Sequence, residues 1–318
     1  MNELIKRECS VAEEMVGKRL DQAVAELFPE YSRSRLQAWI KSGELKVNGE
    51  IWKIKAKVKG GEKLDLEVQL EAETRWLPEP IPLNICYEDT HILVLNKPAG
   101  LVVHPAAGNQ AGTLLNALLY YSPDLAALPR AGIVHRLDKD TTGLMVVAKT
   151  LEAHHHLVSQ LQARTVNRQY EAIAAGVMTG GGSVDKPIGR HPAQRVKMAV
   201  VDGGKEARTH YRVVKRFRGH THVRVNLETG RTHQIRVHMA HIKYPLLGDS
   251  IYGGRLRHPK GASEQLLRAL RGFKRQALHA GKLGLIHPVS GEHMEWEAEI
   301  PEDMQVMIRA LSDDLVTP

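Results

Sequence analysis

Apolar and polar positions repeat along the chain with two different periods, and the change of period marks its parts. Leu20, Val24 and Leu27 recur at helical spacing after Gly17, and Pro29 stops the run, so a first helix is predicted there. Ser32 is placed to cap a second helix, Arg33 to Lys41. Its apolar side carries Leu36, Trp39 and Ile40, and its exposed side carries Arg33, Arg35 and Lys41. Gly43 ends it. Leu45 to Val47 then reads as a short strand, Asn48-Gly49 as a tight turn, and Leu64 to Val68 as a strictly alternating strand. Lys53, Lys55, Lys57 and Lys59 occupy every second position, which would put them on one face of an extended strand. Residues 17–68 thus read as a compact unit preceded by an extension over 1–16. The proline-containing stretch 69–82 has no period and reads as a linker.

From Leu83 onward, strands are predicted at 85–87, 91–95, 170–174, 207–214, 221–227 and 283–285. Helices are predicted at 113–121, 153–163, 234–241 and 263–271. Strands outnumber helices and adjoin through short connections, so residues 83–318 read as an α+β domain on a mixed, largely antiparallel sheet. Gly180–Gly182 reads as a surface loop, and the tail after Pro301 as a short docking helix. Two short apolar runs, 131–134 and 144–148, read as buried strands. They bracket a dense polar turn carrying His135, Arg136, Asp138, Lys139 and Asp140. A turn held between rigid elements suits catalytic groups, because the scaffold fixes the side chains that the turn exposes.

Charge sharpens the picture. The 318 residues carry a net charge of +8, and residues 186–275 hold 21 Lys and Arg against 5 Asp and Glu. Such a concentration repels itself until a polyanion relieves it, which makes nucleic acid the leading partner. The two cysteines, Cys9 and Cys86, form no Cys-x-x-Cys pair, so neither a disulfide framework nor a thiolate metal site is expected. His154-His155-His156 would point around a helix rather than at one ion. No glycine-rich phosphate loop and no apolar run of membrane-spanning length occurs. The expectation is a cytoplasmic monomer without cofactor, metal or membrane.

Four segments in register resemble the RluA/RluD family of pseudouridine synthases. They are Asn96-Lys97-Pro98-Ala99-Gly100-Leu101, the turn 135–144, Asn167-Arg168-Gln169-Tyr170, and Glu228-Thr229-Gly230-Arg231-Thr232-His233-Gln234-Ile235-Arg236-Val237-His238. The first unit resembles an S4-type RNA-binding module, as that family often carries. The resemblance implies isomerisation of uridine to pseudouridine: the N1–C1′ bond breaks, the uracil turns, and C5 joins C1′. A glycosidase needs two carboxylates, whereas a base that is kept and rejoined can be handled by one. The family's nucleophilic aspartate maps onto Asp138, and attack on C1′ and a glycal route both stay open.

By the same resemblance, Arg231 pairs with that aspartate and Tyr170 lies against the target base. Arg136 enters the stack vacated by the flipped nucleotide. Ile235 packs on the uracil, His135 supports the turn, and Lys97 lies in a strand-end turn near the pocket. Arg33, Arg35 and Lys41 would hold RNA. The implied substrate is 23S ribosomal RNA at the helix 69 stem-loop, within an assembling large ribosomal subunit. Rival readings are the same reaction on another structured RNA, a non-catalytic RNA-binding assembly factor, and a glycosidase using Asp138.

Overall fold

The computed structural model describes residues 3–29, 31, 33–70, 76–105, 109–194, 197–256 and 258–316. The chain divides into two compact units, residues 1–75 and 76–318. In the first, β1 (Glu3–Ser10), α1 (Leu20–Leu27), α2 (Arg33–Ser42), β2 (Leu45–Val47) and β3 (Lys63–Leu70) build a helix pair and an antiparallel sheet of order β1-β3-β2. Leu20, Val24, Leu36, Ile40, Leu45, Leu64 and Leu66 share one core, so the helical and strand periods point inward together. Each such side chain contributes roughly 1.5–3 kcal/mol relative to exposure. Asn48 and Gly49 take the left-handed φ values (51° and 80°) that a two-residue hairpin turn requires.

Three expectations for this unit are corrected. Residues 3–10 are no extension, because β1 pairs with β3 along its whole length, from Glu3↔Leu70 to Ser10↔Lys63. The segment Lys53–Lys59 is not a strand: Ala56 N–H turns back onto Lys53 O at 2.8 Å, and only Lys57 bridges to a neighbour, Arg19. Its four lysines are nonetheless exposed. The stretch 69–82 is not one linker, because β3 runs to Leu70 and Trp76 and Ile81 already pack on the core of the second unit. The capping residue Ser32 lies outside the described residues.

The second unit contains β4 (Ile85–Glu88), β5 (Ile92–Lys97), α3 (Leu114–Tyr121), β6 (Thr142–Ala148), α4 (Leu151–Ala163), β7 (Asn167–Ala175), β8 (Gly182–Asp185), β9 (Ile188–Arg190), β10 (Met198–Val200), β11 (Arg208–Arg216), β12 (His220–Leu227), α5 (Gln234–His241), α6 (Glu264–Gly272), β13 (Leu278–Ile286), β14 (His293–Glu297) and α7 (Glu302–Val316). A nine-stranded sheet runs β4-β5-β6-β13-β7-β12-β11-β8, with β14 on β13. Among its pairings only β6 with β13 is parallel. β9 and β10 form a separate hairpin. All four helices and seven of the eight strands predicted here are present, with ends shifted by up to five residues.

The run 131–134 is not a strand. Arg130, Ala131 and Gly132 have φ of 53°, 52° and 79°, and only Ile133 bridges to β6, at Val147. The tight approach explains the residue at 132: a Cβ there would lie 1.9 Å from Ala148 O. Gly132→Ala should therefore cost about 3 kcal/mol, from left-handed strain plus overpacking. A urea titration would show it, and an unchanged midpoint would refute the contact. Gly182 begins β8 instead of lying in a loop, and the tail forms a 15-residue helix, α7, packed with α6 around Met304, Met307 and Leu311.

Candidate active site

The polar turn 135–140 leads into β6, the apolar strand that anchors it. His135 holds the turn down, since its Nε2 accepts the Val146 N–H at 3.1 Å. Burial, with the Arg168 charge adding, pushes its pKa down to about 3, so the ring is a neutral acceptor. Lys97, at the end of β5, is fully buried and donates to Pro98 O (2.7 Å), Leu101 O (3.0 Å) and Lys139 O (2.9 Å). It ties two loops together and does not line the cavity that the other site residues share, so its place near the pocket is a structural one and not a substrate contact. Burial lowers its pKa to about 8 against the pull of Asp140 and Asp138, so at neutral pH the ammonium still offers three protons to three carbonyls. Lys97→Met should cost about 2–4 kcal/mol by stranding those carbonyls. Chemical denaturation would register this, and wild-type stability would refute it.

Asp138 stands on the wall of an open cavity of about 690 Å³, with its side chain 17% exposed. Tyr170, Arg136, His135, Ile235 and Arg231 line the same cavity, so six of the residues singled out from sequence converge on it. Tyr170 is buried on β7, and burial raises the pKa of its hydroxyl against the opposing Arg168 charge, with the Asp138 charge adding to the rise. Arg136 is exposed at the rim, and Ile235 is buried in the first turn of α5.

The guanidinium bonded to Asp138 is not the expected one. Arg231 turns away, its Nε donating to Glu206 O at 2.9 Å. Arg236 Nη1 donates to Asp138 Oδ2 at 2.9 Å, while its Nε and Nη2 grip Asp249 at 2.7 and 2.9 Å. The reason is helical: Arg231 precedes α5 in a loop, whereas Arg236 projects from the helix itself. Burial opposes the Arg236 charge, but Asp249 first and Asp138 second hold its pKa above the ordinary value. Asp249 is in turn kept below the usual carboxylate range. Its burial is outweighed by Arg236 and by the N–H groups of Ile251 and Tyr252, at 2.9 and 3.0 Å.

His233, left-handed at φ 56°, places Nε2 3.9 Å from Asp138 Oδ1 and Nδ1 2.8 Å from the Tyr252 hydroxyl. Arg236 also lies over the Tyr252 ring, 5.1 Å from its centroid. Arg236, Asp249 and Tyr252 were missed as site residues. The periodicity offered a signal for Arg236, since it falls inside the predicted helix 234–241. Asp249 and Tyr252 lie in an aperiodic stretch that gave none.

In the first unit, Arg33 Nη2 donates to the buried Asp21 at 2.7 Å and Arg35 lies over Trp39, while Lys41 is exposed. His154–His156 lie in the first half of α4. Among the described residues no group of three or more His, Cys, Asp or Glu is placed to hold a metal ion. No described helix is long and apolar enough to cross a membrane.

Residues 91–241 match the RNA pseudouridylate synthase family and residues 18–64 match the S4 domain. The chain is 62% identical over 314 residues to the ribosomal large subunit pseudouridine synthase D of Pseudomonas aeruginosa, covering 99% of this chain and 98% of that one. The chain belongs to the RluA/RluD family of pseudouridine synthases. The pseudouridine synthase D of Escherichia coli K12 is 57% identical over 315 residues, covering 99% of this chain and 97% of its own. Among solved structures, human RNA pseudouridylate synthase domain containing 4 is 28% identical with a TM-score of 0.57, over 72% of this chain and 93% of that one. A pseudouridine synthase is an isomerase that neither adds nor removes atoms, and a cavity whose wall carries the Asp138 carboxylate and the Tyr170 hydroxyl suits that chemistry.

Proposed function

We propose that this synthase converts specific uridines of 23S ribosomal RNA to pseudouridine, in the helix 69 stem-loop of the assembling large subunit, with Asp138 as nucleophile. The observation that carries the reading is the Asp138 carboxylate. It is held by the buried Arg236 yet opens onto a cavity large enough for an extruded nucleotide. Two relatives at 62% and 57% identity, both called ribosomal large subunit pseudouridine synthase D, support the ribosomal target. In this reading Tyr170 lies against the base, Ile235 packs on it, and Arg136 fills the vacated stack from the rim. Arg236 takes over the pairing role first given to Arg231. Arg33, Arg35 and Lys41 meet phosphates from the S4 unit, where Arg33 also braces Asp21.

The glycosidase reading is weakened by the second carboxylate such an enzyme needs. Glu228, the other carboxylate lining the cavity, is bonded to Arg208 at 3.2 Å and His210 at 2.6 Å. The test is to incubate the protein with unmodified large-subunit RNA, free and in precursor particles, and to map pseudouridine by position. Product confined to helix 69 supports the proposal, product elsewhere relocates the target, and free uracil would overturn the reaction.

RNA affinity should fall steeply with salt, because each phosphate neutralised by the basic 186–275 segment releases counterions. With several contacts, log affinity should drop by about 0.7–0.9 per contact for each unit of log salt, the range between single-stranded nucleic acid and B-form duplex. A flat response would remove the electrostatic basis of binding.

A further inference from the structure

Arg168 is a cation without a counter-charge on the floor of the cavity. It is buried at 8% exposure, and its Nε is buried with no hydrogen-bond partner. Its one side-chain hydrogen bond is a long one, Nη2 to Glu228 O at 3.4 Å, and among the described residues it forms no ion pair with a carboxylate. Room has been kept for it: a Cβ on Gly230 would lie 2.7 Å from Arg168 Nη1. The strand explains where it faces. Arg168 and Tyr170 are two residues apart on β7, so both side chains leave the same side of the sheet, toward the cavity they line.

A buried charge lacking a partner is costly, and a guanidinium stays charged at any working pH. A deep, unpaired cation beside a reaction cavity is therefore completed by negative charge that the substrate brings or develops. Depth separates the two cases. Arg130 and Arg136 line the same cavity and are exposed, which suits phosphates that stay outside, whereas Arg164 is tied to Glu206 by two hydrogen bonds of 3.0 and 2.6 Å. Arg168 lies inside, beside the tyrosine assigned to the base.

We propose that Arg168 stabilises the negative charge of the uracil as it leaves C1′. The inference rests on the reaction proposed above, and it holds for either route through that reaction. When the C1′–N1 bond breaks, both its electrons stay with the base and spread over the ring nitrogens and the O2 and O4 carbonyls. Direct attack forms an Asp138–C1′ ester that C5 then displaces, freeing the carboxylate, and the glycal route instead passes the C2′ proton to Asp138, which returns it to C2′ as C5 bonds C1′. In both, the base is an anion until C5 bonds C1′ and the C5 proton moves to N1. Donors aimed where charge develops act on the rate more than on ground-state binding.

The test measures single-turnover conversion and RNA dissociation constants for wild type, Arg168→Met and Arg168→Lys. RNA carrying uridine or 5-fluorouridine at the target is used. Fluorine withdraws electrons, so that base leaves as an anion with less help. Arg168→Met should slow uridine conversion by about 10²–10³-fold, with affinity for RNA nearly unchanged. Its deficit on cleavage of the 5-fluorouridine link should be at least tenfold smaller. Arg168→Lys keeps the charge and should recover much of the rate, which supplies the comparison should the methionine variant fold poorly. Equal deficits on the two bases would overturn the assignment. So would a loss confined to affinity with one fewer unit of salt dependence, the mark of a phosphate contact. Wild-type turnover matched by the methionine variant overturns the role of Arg168 alone. A wild-type protein that forms no pseudouridine overturns the reaction and this role together.

Discussion

Asp138→Asn is expected to reduce pseudouridine formation by at least about 10⁴-fold, the scale on which removing a nucleophile acts. The amide has nearly the shape of the carboxylate and keeps an oxygen that Arg236 Nη1 can reach, so the turn and the cavity should survive. What disappears is the negative charge that attacks C1′ or steadies a glycal. Arg236 retains Asp249 as its counter-charge through two hydrogen bonds, so the fold loses little. RNA affinity should stay close to that of wild type, because the binding charges lie elsewhere. The measurement is release of the C5 hydrogen from tritiated uridine in a single turnover, with binding followed separately. Turnover within tenfold of wild type would end the case for Asp138.

Arg236→Met is expected to damage both stability and activity. Its removal strands Asp249, whose side chain is fully buried, and breaking such a pair from one side costs about 3–5 kcal/mol. The Asp138 carboxylate also loses its 2.9 Å partner, so turnover should fall by about 10²-fold or more. A double variant, Arg236→Met with Asp249→Asn, separates the two effects. Stability should partly return, since the neutral amide needs no counter-charge and its oxygen still accepts the Ile251 and Tyr252 N–H groups, while activity should not.

The pH dependence has a defined sign. Asp249 has a folded pKa below its unfolded value, so the stability it contributes is present above roughly pH 4 and is lost as acid protonates it. The gap between wild type and Arg236→Met should therefore narrow on acidification below about pH 4. A gap independent of pH, or a single variant as stable as wild type, would contradict the pairing.

Local pattern carried far in this chain. Leu20, Val24 and Leu27 at helical spacing and the alternation of Leu64, Leu66 and Val68 describe side chains whose partners are near in sequence. Those elements formed where the pattern put them. Pattern failed where backbone bonds settled the matter. Lys53 to Lys59 alternate as a strand would, yet the chain turns between Lys53 and Ala56. The 131–134 run is apolar and β-branched, yet three successive left-handed residues break it. β1 was read as an extension because its pairing partner lies some sixty residues away.

The sequence by itself determined the two units, the largely antiparallel sheet, the turn that presents Asp138, and the segments that build the cavity. Each of these follows from periods and motifs that neighbouring residues write together. Only the tertiary structure decided which arginine meets Asp138, that Lys97 serves the backbone, and that Arg168 is left unpaired. Such pairings join side chains from β5, the 135–140 turn, β7, α5 and the loop after it. Their distances depend on how helix and sheet pack, a sum over many weak contacts that no local stretch contains.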